Sequence, residues 1–520
     1  MFFGKVQSKS SGMHHAALYR VFLVTLGSLT YAYASSIIGT TLAQPSFIQY
    51  FALDQRSNAA ELAGANNGVF QAGGFIGALA CIPVADNYGR RVGLFVASVF
   101  AVIGGALQAG SVHIAMYIAM RVISGVGVGA LITLTPLYLA EVAAAEIRGL
   151  VVGTTGIMIG IGYASASWIG FGFYFVNASG TQWRIPTVIQ CIPPLILAIT
   201  IWRLPESPRW LLLNDQTEEA SKMFRKARSA SRESEGQAAV DNEFHRLHAQ
   251  ILQEKHNSVK FKELFTKPTL RKRTILGFLT LFGCQAAGTQ VINNYGPSLY
   301  ADLGYGTTDT LLIQSGWITT IIFGNTLNTI LLDKFGRKPL FLFGFVGCVV
   351  SLIGECASVA RYQQTGGHSS AVAAVFFLFL EVAVFSSTLD ATSYVYPSEI
   401  FPTPVRAKGM AVSVAGLFLG SILILVAAPT AFATIRWKYF LVFVSASTVM
   451  IAVVYFLFLE IQQTNQKSLE QISEMFGDYA TTTTDAETAS ISVDQKKHTG
   501  LEVEESIKVD VRITGGKKMM

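Results

Sequence analysis

Four carboxamides fall within ten residues of an otherwise apolar stretch, Gln285, Gln290, Asn293 and Asn294 in "CQAAGTQVINNYGP". A carboxamide carries donors and an acceptor side by side, which suits the adjacent hydroxyls of a polyhydroxylated solute. The same groups could instead bond helix to helix. A second group, Ser387, Asp390 and Tyr394, recurs at i, i+3 and i+7 and shares one face of a regular helix. Tyr394 offers an aromatic face with a hydroxyl, and Asp390 a carboxyl able to carry a proton. Glu355 and Glu381 are the other acids in this part of the chain to lie within apolar runs. Glu381 precedes Tyr394 by about 220° of ideal helix rotation and is expected to face elsewhere. Polar and ionisable groups in such runs are costly, and so are functional candidates.

Catalysis finds no support. GxxxxGK[ST], HExxH and GxSxG are absent, which leaves no phosphate cradle, zinc site or nucleophile elbow. The five cysteines, Cys81, Cys191, Cys284, Cys348 and Cys356, lie in apolar runs without ligand spacing. No cofactor and no metal are expected, and the chain is not expected to be an enzyme. A net charge of +6 sits mostly in loops and is no nucleic-acid footprint.

These residues must be positioned by elements that live in lipid. The chain is 51% hydrophobic and 14% charged, with 35 Phe and 47 Gly; a soluble domain carries about 25% charged residues. Twelve runs are long enough to cross a bilayer as helices, at 20–42, 66–85, 92–111, 114–138, 149–173, 185–204, 275–299, 311–332, 339–359, 371–396, 409–431 and 438–459. They do not alternate as barrel strands would. The fold expected is therefore an all-α membrane protein of twelve transmembrane helices in two six-helix halves.

The predicted organisation is an N-terminus at 1–19, a first half at 20–204, a central loop at 205–273, a second half at 274–459 and a disordered tail at 460–520. Lys and Arg crowd the loops on one side, including Arg90, Arg91, Arg148, Arg337, Lys338, Arg406 and the central loop. That side is expected to be cytoplasmic, with both termini. The sequon Asn177-Ala178-Ser179 then falls outside and makes Asn177 a glycosylation candidate. No secretory leader is read at the N-terminus.

One charged pattern is written twice. "DNYGRR" runs from Asp86 through Arg90 and Arg91, and "DKFGRK" from Asp333 through Arg337. Glu141 precedes Arg148 by seven residues, as Glu399 precedes Arg406. A six-helix unit is therefore repeated in the same orientation, a plan that places a site between parallel halves. The charges suit ion pairs that latch the two halves closed at that face and break when the halves reorient. They also suit simple topology marking, although the acids add nothing to topology.

The chain resembles the major facilitator superfamily, and within it the sugar porter family, fungal members most. The resemblance rests on "DNYGRR", "RVISGVGVG", "PLYLAE", "LPESPRWLL", "DKFGRK" and "YPSEIFPTPVRAKG", in that order along about residues 20–470. It implies that Gln285, Gly288 and Gln290 stand where the family holds a sugar. It also implies that Tyr394 occupies the place of a sugar-stacking Trp, five residues before Glu399.

Several positions depart from the family. Cys284 replaces the first glutamine, Ala34 the acid of proton-coupled members, and Gly416-Leu417 the Asn-Trp pair of the eleventh span. The function implied is carriage of a sugar or similar polyhydroxylated solute by alternating access, by a monomeric transport unit in the plasma membrane. With Ala34 in place, facilitated diffusion is favoured over proton symport through Asp390. The alternatives are a carrier of another metabolite on the same fold and a non-transporting nutrient sensor.

Overall fold

The structure is a computed structural model that describes residues 11–458 apart from 144–147, 177–179, most of 230–259, and 403–404. The sequon at Asn177 and the tail lie outside the described residues. Among those described, the architecture is helical. The long helices are α1 (Ser11–Leu42), α2 (Ala59–Tyr88), α3 (Arg90–Ala109), α4 (Ile114–Val142) and α5 (Arg148–Tyr174). They continue as α6 (Thr181–Arg203), α7 (Pro268–Asp302), α8 (Thr307–Phe335), α9 (Arg337–Thr365), α10 (His368–Ile400), α11 (Arg406–Ile435) and α12 (Phe440–Leu457). Ten stretches meet the length and hydropathy of a membrane span; one, Arg406–Leu457, holds both α11 and α12 around the turn Arg436–Tyr439. The 29-residue α8 completes twelve. Several helices, α2 and α7 among them, overrun the apolar runs by a turn or two of polar sequence.

The repeat shows in the packing. Helix α2 crosses α11, and its counterpart α8 crosses α5. Both crossings are antiparallel: Gly64 faces Val426 and Gly74 faces Phe418, while Gly160 faces Ile322 and Ser167 bonds Ser315 at 3.0 Å. The ends of α2 and α8 therefore lie level with the starts of α11 and α5. Both charged turns stand at one end of the bundle, as two parallel halves require.

Lipid gives helices no hydrophobic reason to associate, so small residues must let backbones approach. Helices α2 and α4 meet in this way. A Cβ on Gly73, Gly77, Gly125 or Gly129 would collide with a carbonyl oxygen of the facing helix.

Two helices that carry the candidate chemistry are irregular. Helix α7 breaks at the 3₁₀ turn Gln285–Ala287 and restarts at Thr289 through Gly288, at φ 82°. Left-handed backbone suits only glycine here. Replacement by alanine (Gly288→Ala) is expected to cost about 1–2 kcal/mol, more where the new Cβ meets the Phe443 ring at 2.9 Å. A lowered melting midpoint of the detergent-purified protein checks this. Helix α10 widens into a π-turn at Ser386–Asp390, a device found mostly at functional sites.

Candidate functional site

Helices α5, α7 and α10 meet around a cavity of about 40 Å³. Gln285, Thr289, Gln290 and Asn293 come from α7, Asp390, Ser393 and Tyr394 from α10, and Tyr163 from α5. The helix breaks explain the grouping. The 3₁₀ turn carries Gln285 and, with Gly288, aims Thr289, Gln290 and Asn293 into the same space. The space holds water but no hexose, since solute pockets run to about 300 Å³ or more. Solute entry therefore requires the halves to move apart.

Each amide is held in place. Gln285 accepts from Ser421 Oγ at 3.2 Å, and Gln290 donates to the Tyr163 hydroxyl at 3.3 Å across the two halves. Asn293 accepts from Ser36 Oγ of α1 at 3.0 Å, also across the halves. Asn294 does not line the cavity; its Nδ2 donates to the Gln290 carbonyl at 2.8 Å and steadies that turn. Tyr394 lines the cavity beside Asp390, whose carboxylate accepts from Asn325 Nδ2 at 2.9 Å.

Ser387 falls away from this group and donates to the Val384 carbonyl at 3.1 Å. The π-turn fits an extra residue into one turn, so the regular i, i+3, i+7 face does not survive it. Glu381 does not line the cavity; its carboxylate accepts from Thr289 Oγ1 at 2.6 Å and reaches the site only through Thr289.

Arg121 is a buried cation that the sequence reading passed over as part of a motif string. Its side chain is fully buried, lies over the Phe70 ring at 4.1 Å and donates to the Ala34 carbonyl at 2.9 Å. A backbone carbonyl thus meets the guanidinium at the position where the resemblance implies a carboxylate in coupled relatives.

The charged turns form matching clusters. Arg90 grips Glu141 bidentately at 2.9 and 3.0 Å and reaches Asp86 at 3.1 Å. Arg337 grips Glu399 at 2.9 and 2.6 Å. Arg91 donates to the Trp202 carbonyl and lies over its ring at 5.2 Å. Lys338 does the same to Tyr455 at the end of α12, 5.6 Å from the ring. Both bidentate pairs tie helices within one half, α3 to α4 and α9 to α10, and neither joins the two halves. Arg406 Nε donates to the Phe401 carbonyl at 3.4 Å. The Arg148 and Asp333 side chains lie outside the described positions.

Glu206 of "PESPRWLL" completes the first cluster and was not singled out by sequence. Its carboxylate accepts the backbone amides of Arg90, Arg91 and Ser207 at 3.1, 3.2 and 2.9 Å. It therefore caps the start of α3, where free amides and the helix dipole attract an anion. Burial pushes the Glu206 carboxyl above its ordinary range, against the pull of those amides. Glu206→Ala is expected to cost about 1–2 kcal/mol, the loss of a helix cap, read as a lower melting midpoint.

Comparisons with known proteins identify the family. The family described as "Sugar (and other) transporter" matches residues 20–476. An MFS-type transporter, criB, of Aspergillus cristatus is 31% identical over 88% of this chain and 92% of its own length. A probable quinate permease of Aspergillus fumigatus is 31% identical over 85% of this chain and 84% of its own. A high-affinity glucose transporter of Kluyveromyces lactis is 29% identical over 85% of this chain and 81% of its own. The solved proton:xylose symporter XylE, bound to a bromodeoxyglucose, shares the fold at a TM-score of 0.74 and 23% identity, covering 88% of this chain and 98% of that one. The chain is a multi-pass membrane carrier, not an enzyme, and belongs to the Sugar (and other) transporter family.

Proposed function

We propose that the protein carries a sugar or closely similar polyhydroxylated solute across the membrane, the two halves rocking about the α5–α7–α10 site. The observation that carries this reading is the cavity itself. Amide, hydroxyl, phenol and carboxyl groups from both halves converge on it, and among the described residues no guanidinium or ammonium lines it. Hydroxyls are matched there by Gln285, Gln290 and Asn293, and a ring face by Tyr394. Of the relatives' named solutes, glucose is a neutral ring polyol, and quinate is a ring polyol that also carries a carboxylate.

The charged turns are assigned to the cytoplasmic face, with both termini, by their Lys and Arg. Plasma-membrane residence, a monomeric transport unit and glycosylation at Asn177 belong to the same reading. The gating role of Asp86, Arg90, Arg91, Glu141, Arg148, Asp333, Arg337, Glu399 and Arg406 is to hold each half rigid at its turn, so that the halves move as bodies.

The test is uptake by the purified protein in liposomes of a panel of radiolabelled hexoses, pentoses, quinate, amino acids and nucleosides. The reading expects uptake confined to ring polyols and competed by them. Uptake of amino acids or nucleosides without any polyol would overturn it.

A further inference from the structure

We propose that Asp390 makes the carrier selective for uncharged ring polyols and excludes those that bear a carboxylate. The inference rests on the polyol reading of the α5–α7–α10 site and narrows it. Relatives of this chain are named for both kinds of solute, a high-affinity glucose transporter and probable quinate permeases. Family membership therefore leaves the choice between them open.

The structure supplies a group that discriminates. The π-turn Ser386–Asp390 ends at Asp390, which joins Ser393 and Tyr394 in the cavity wall while Ser387 stays out. Asp390 is half-buried there. Its Oδ2 accepts from Asn325 Nδ2 at 2.9 Å, and Asn325 leaves its own Oδ1 buried without a hydrogen-bond partner. The amide is thus turned to serve an acceptor, although an unsatisfied carbonyl is costly. It is a neutral donor and leaves the charge of the carboxylate uncancelled. No Lys, Arg or His among the described residues lines the cavity. Arg121, the buried cation of the first half, is directed to the Ala34 carbonyl and the Phe70 ring, both outside the lining.

The other polar groups in the wall carry no positive charge and are partly engaged. Gln290 Nε2 donates to the Tyr163 hydroxyl at 3.3 Å, and Ser393 Oγ to the Asp390 carbonyl at 2.7 Å. An ionised solute carboxylate can only accept. In this site it meets no cation, and it meets a second carboxylate in the same wall. Like charges brought together away from water repel strongly. A solute hydroxyl donates instead, and Asp390 accepts it in a charge-assisted bond. One side chain thus favours a hydroxyl and opposes a carboxylate at the same place.

The experiment uses the full chain in liposomes at neutral pH. Counterflow is measured for D-glucose, D-xylose and quinate. Each exchanged solute is then competed with D-glucuronate and with D-glucuronamide, which differ only in a carboxylate against an amide. The wild type is expected to exchange glucose or xylose and not quinate. Glucuronate is expected to need at least about tenfold the concentration of glucuronamide for half-inhibition. Asp390→Asn keeps the shape, removes the charge and should bring the two inhibitors level; Asp390→Ser is the second neutral variant, and Asp390→Glu should keep them apart. Where a variant no longer exchanges, the rise in its melting midpoint in detergent with each compound gives the same comparison. Quinate exchanged by the wild type, glucuronate matching glucuronamide at every concentration, or neutral variants that discriminate as the wild type does, would overturn the proposal and leave the polyol reading standing. Exchange of none of the three solutes would sink the polyol reading, and the proposal with it.

Discussion

Replacing Arg90 by alanine is expected to destabilise the carrier by about 3–5 kcal/mol, because it strands a buried carboxylate. The Glu141 side chain is 7% exposed and its bidentate partner Arg90 4% exposed. Arg90 also donates to the Ala85 carbonyl at 2.9 Å, so the turn between α2 and α3 loosens with it. The matching change in the second half is expected to cost less. Glu399 is 27% exposed, and water can solvate it once Arg337 is gone. Melting midpoints of Arg90→Ala and Arg337→Ala in one detergent check the ranking. Equal losses would mean that the two clusters, alike in geometry, do not differ through burial. The double change Arg90→Ala with Glu141→Ala should recover much of the loss, since the buried carboxylate is then gone and Asp86, 39% exposed, is solvated by water.

The second large effect is expected at Gln285. Its amide is buried at the α7 break, bonded through Oε1 to Ser421, with its Nε2 3.5 Å from the Leu281 carbonyl. That weak contact leaves donor capacity for a solute hydroxyl. Gln285→Ala is expected to raise the half-saturating solute concentration by the equivalent of about 1–3 kcal/mol, the cost of a buried polar group left unsatisfied. That is roughly five- to 150-fold. Protein yield is expected to hold. Asn294→Ala is the control of smaller effect, since Asn294 acts on the solute only through Gln290.

The membrane class, the twelve spans and the duplicated turns are legible in the sequence because long apolar runs and paired charges are coarse signals. They survive any local irregularity. The pairing of Arg90 with Glu141 and of Arg337 with Glu399 is legible in kind, since acids and bases at a helix end find one another. Their confinement to one half is not, because spacing cannot say which helices are neighbours.

The side-chain directions on α10 are not legible either. Ideal rotation places Ser387 with Asp390 and turns Glu381 away. The π-turn at Ser386–Asp390 takes Ser387 out of that group, while Glu381 stays outside the cavity lining and reaches the site only through Thr289. No glycine or proline in "SSTLD" announces it. The α7 break was easier to suspect, since Gly288 stands at it. Arg121 and Glu206 were in view as motif letters, yet their work depends on contacts with Ala34 and with the α3 amides. Those contacts join residues far apart in the chain.

The central claim is that a ring polyol is held between the halves by the amides of α7 and the phenol of α10. Solute counterflow in liposomes tests it most directly, comparing wild type with Gln285→Ala, Gln290→Ala and Tyr394→Ala for one transported polyol. The account predicts that each variant inserts and folds, and that each raises the half-saturating concentration, Gln285→Ala by at least about fivefold. Unchanged half-saturation in all three, with the solute still exchanged, would contradict it and move the site elsewhere.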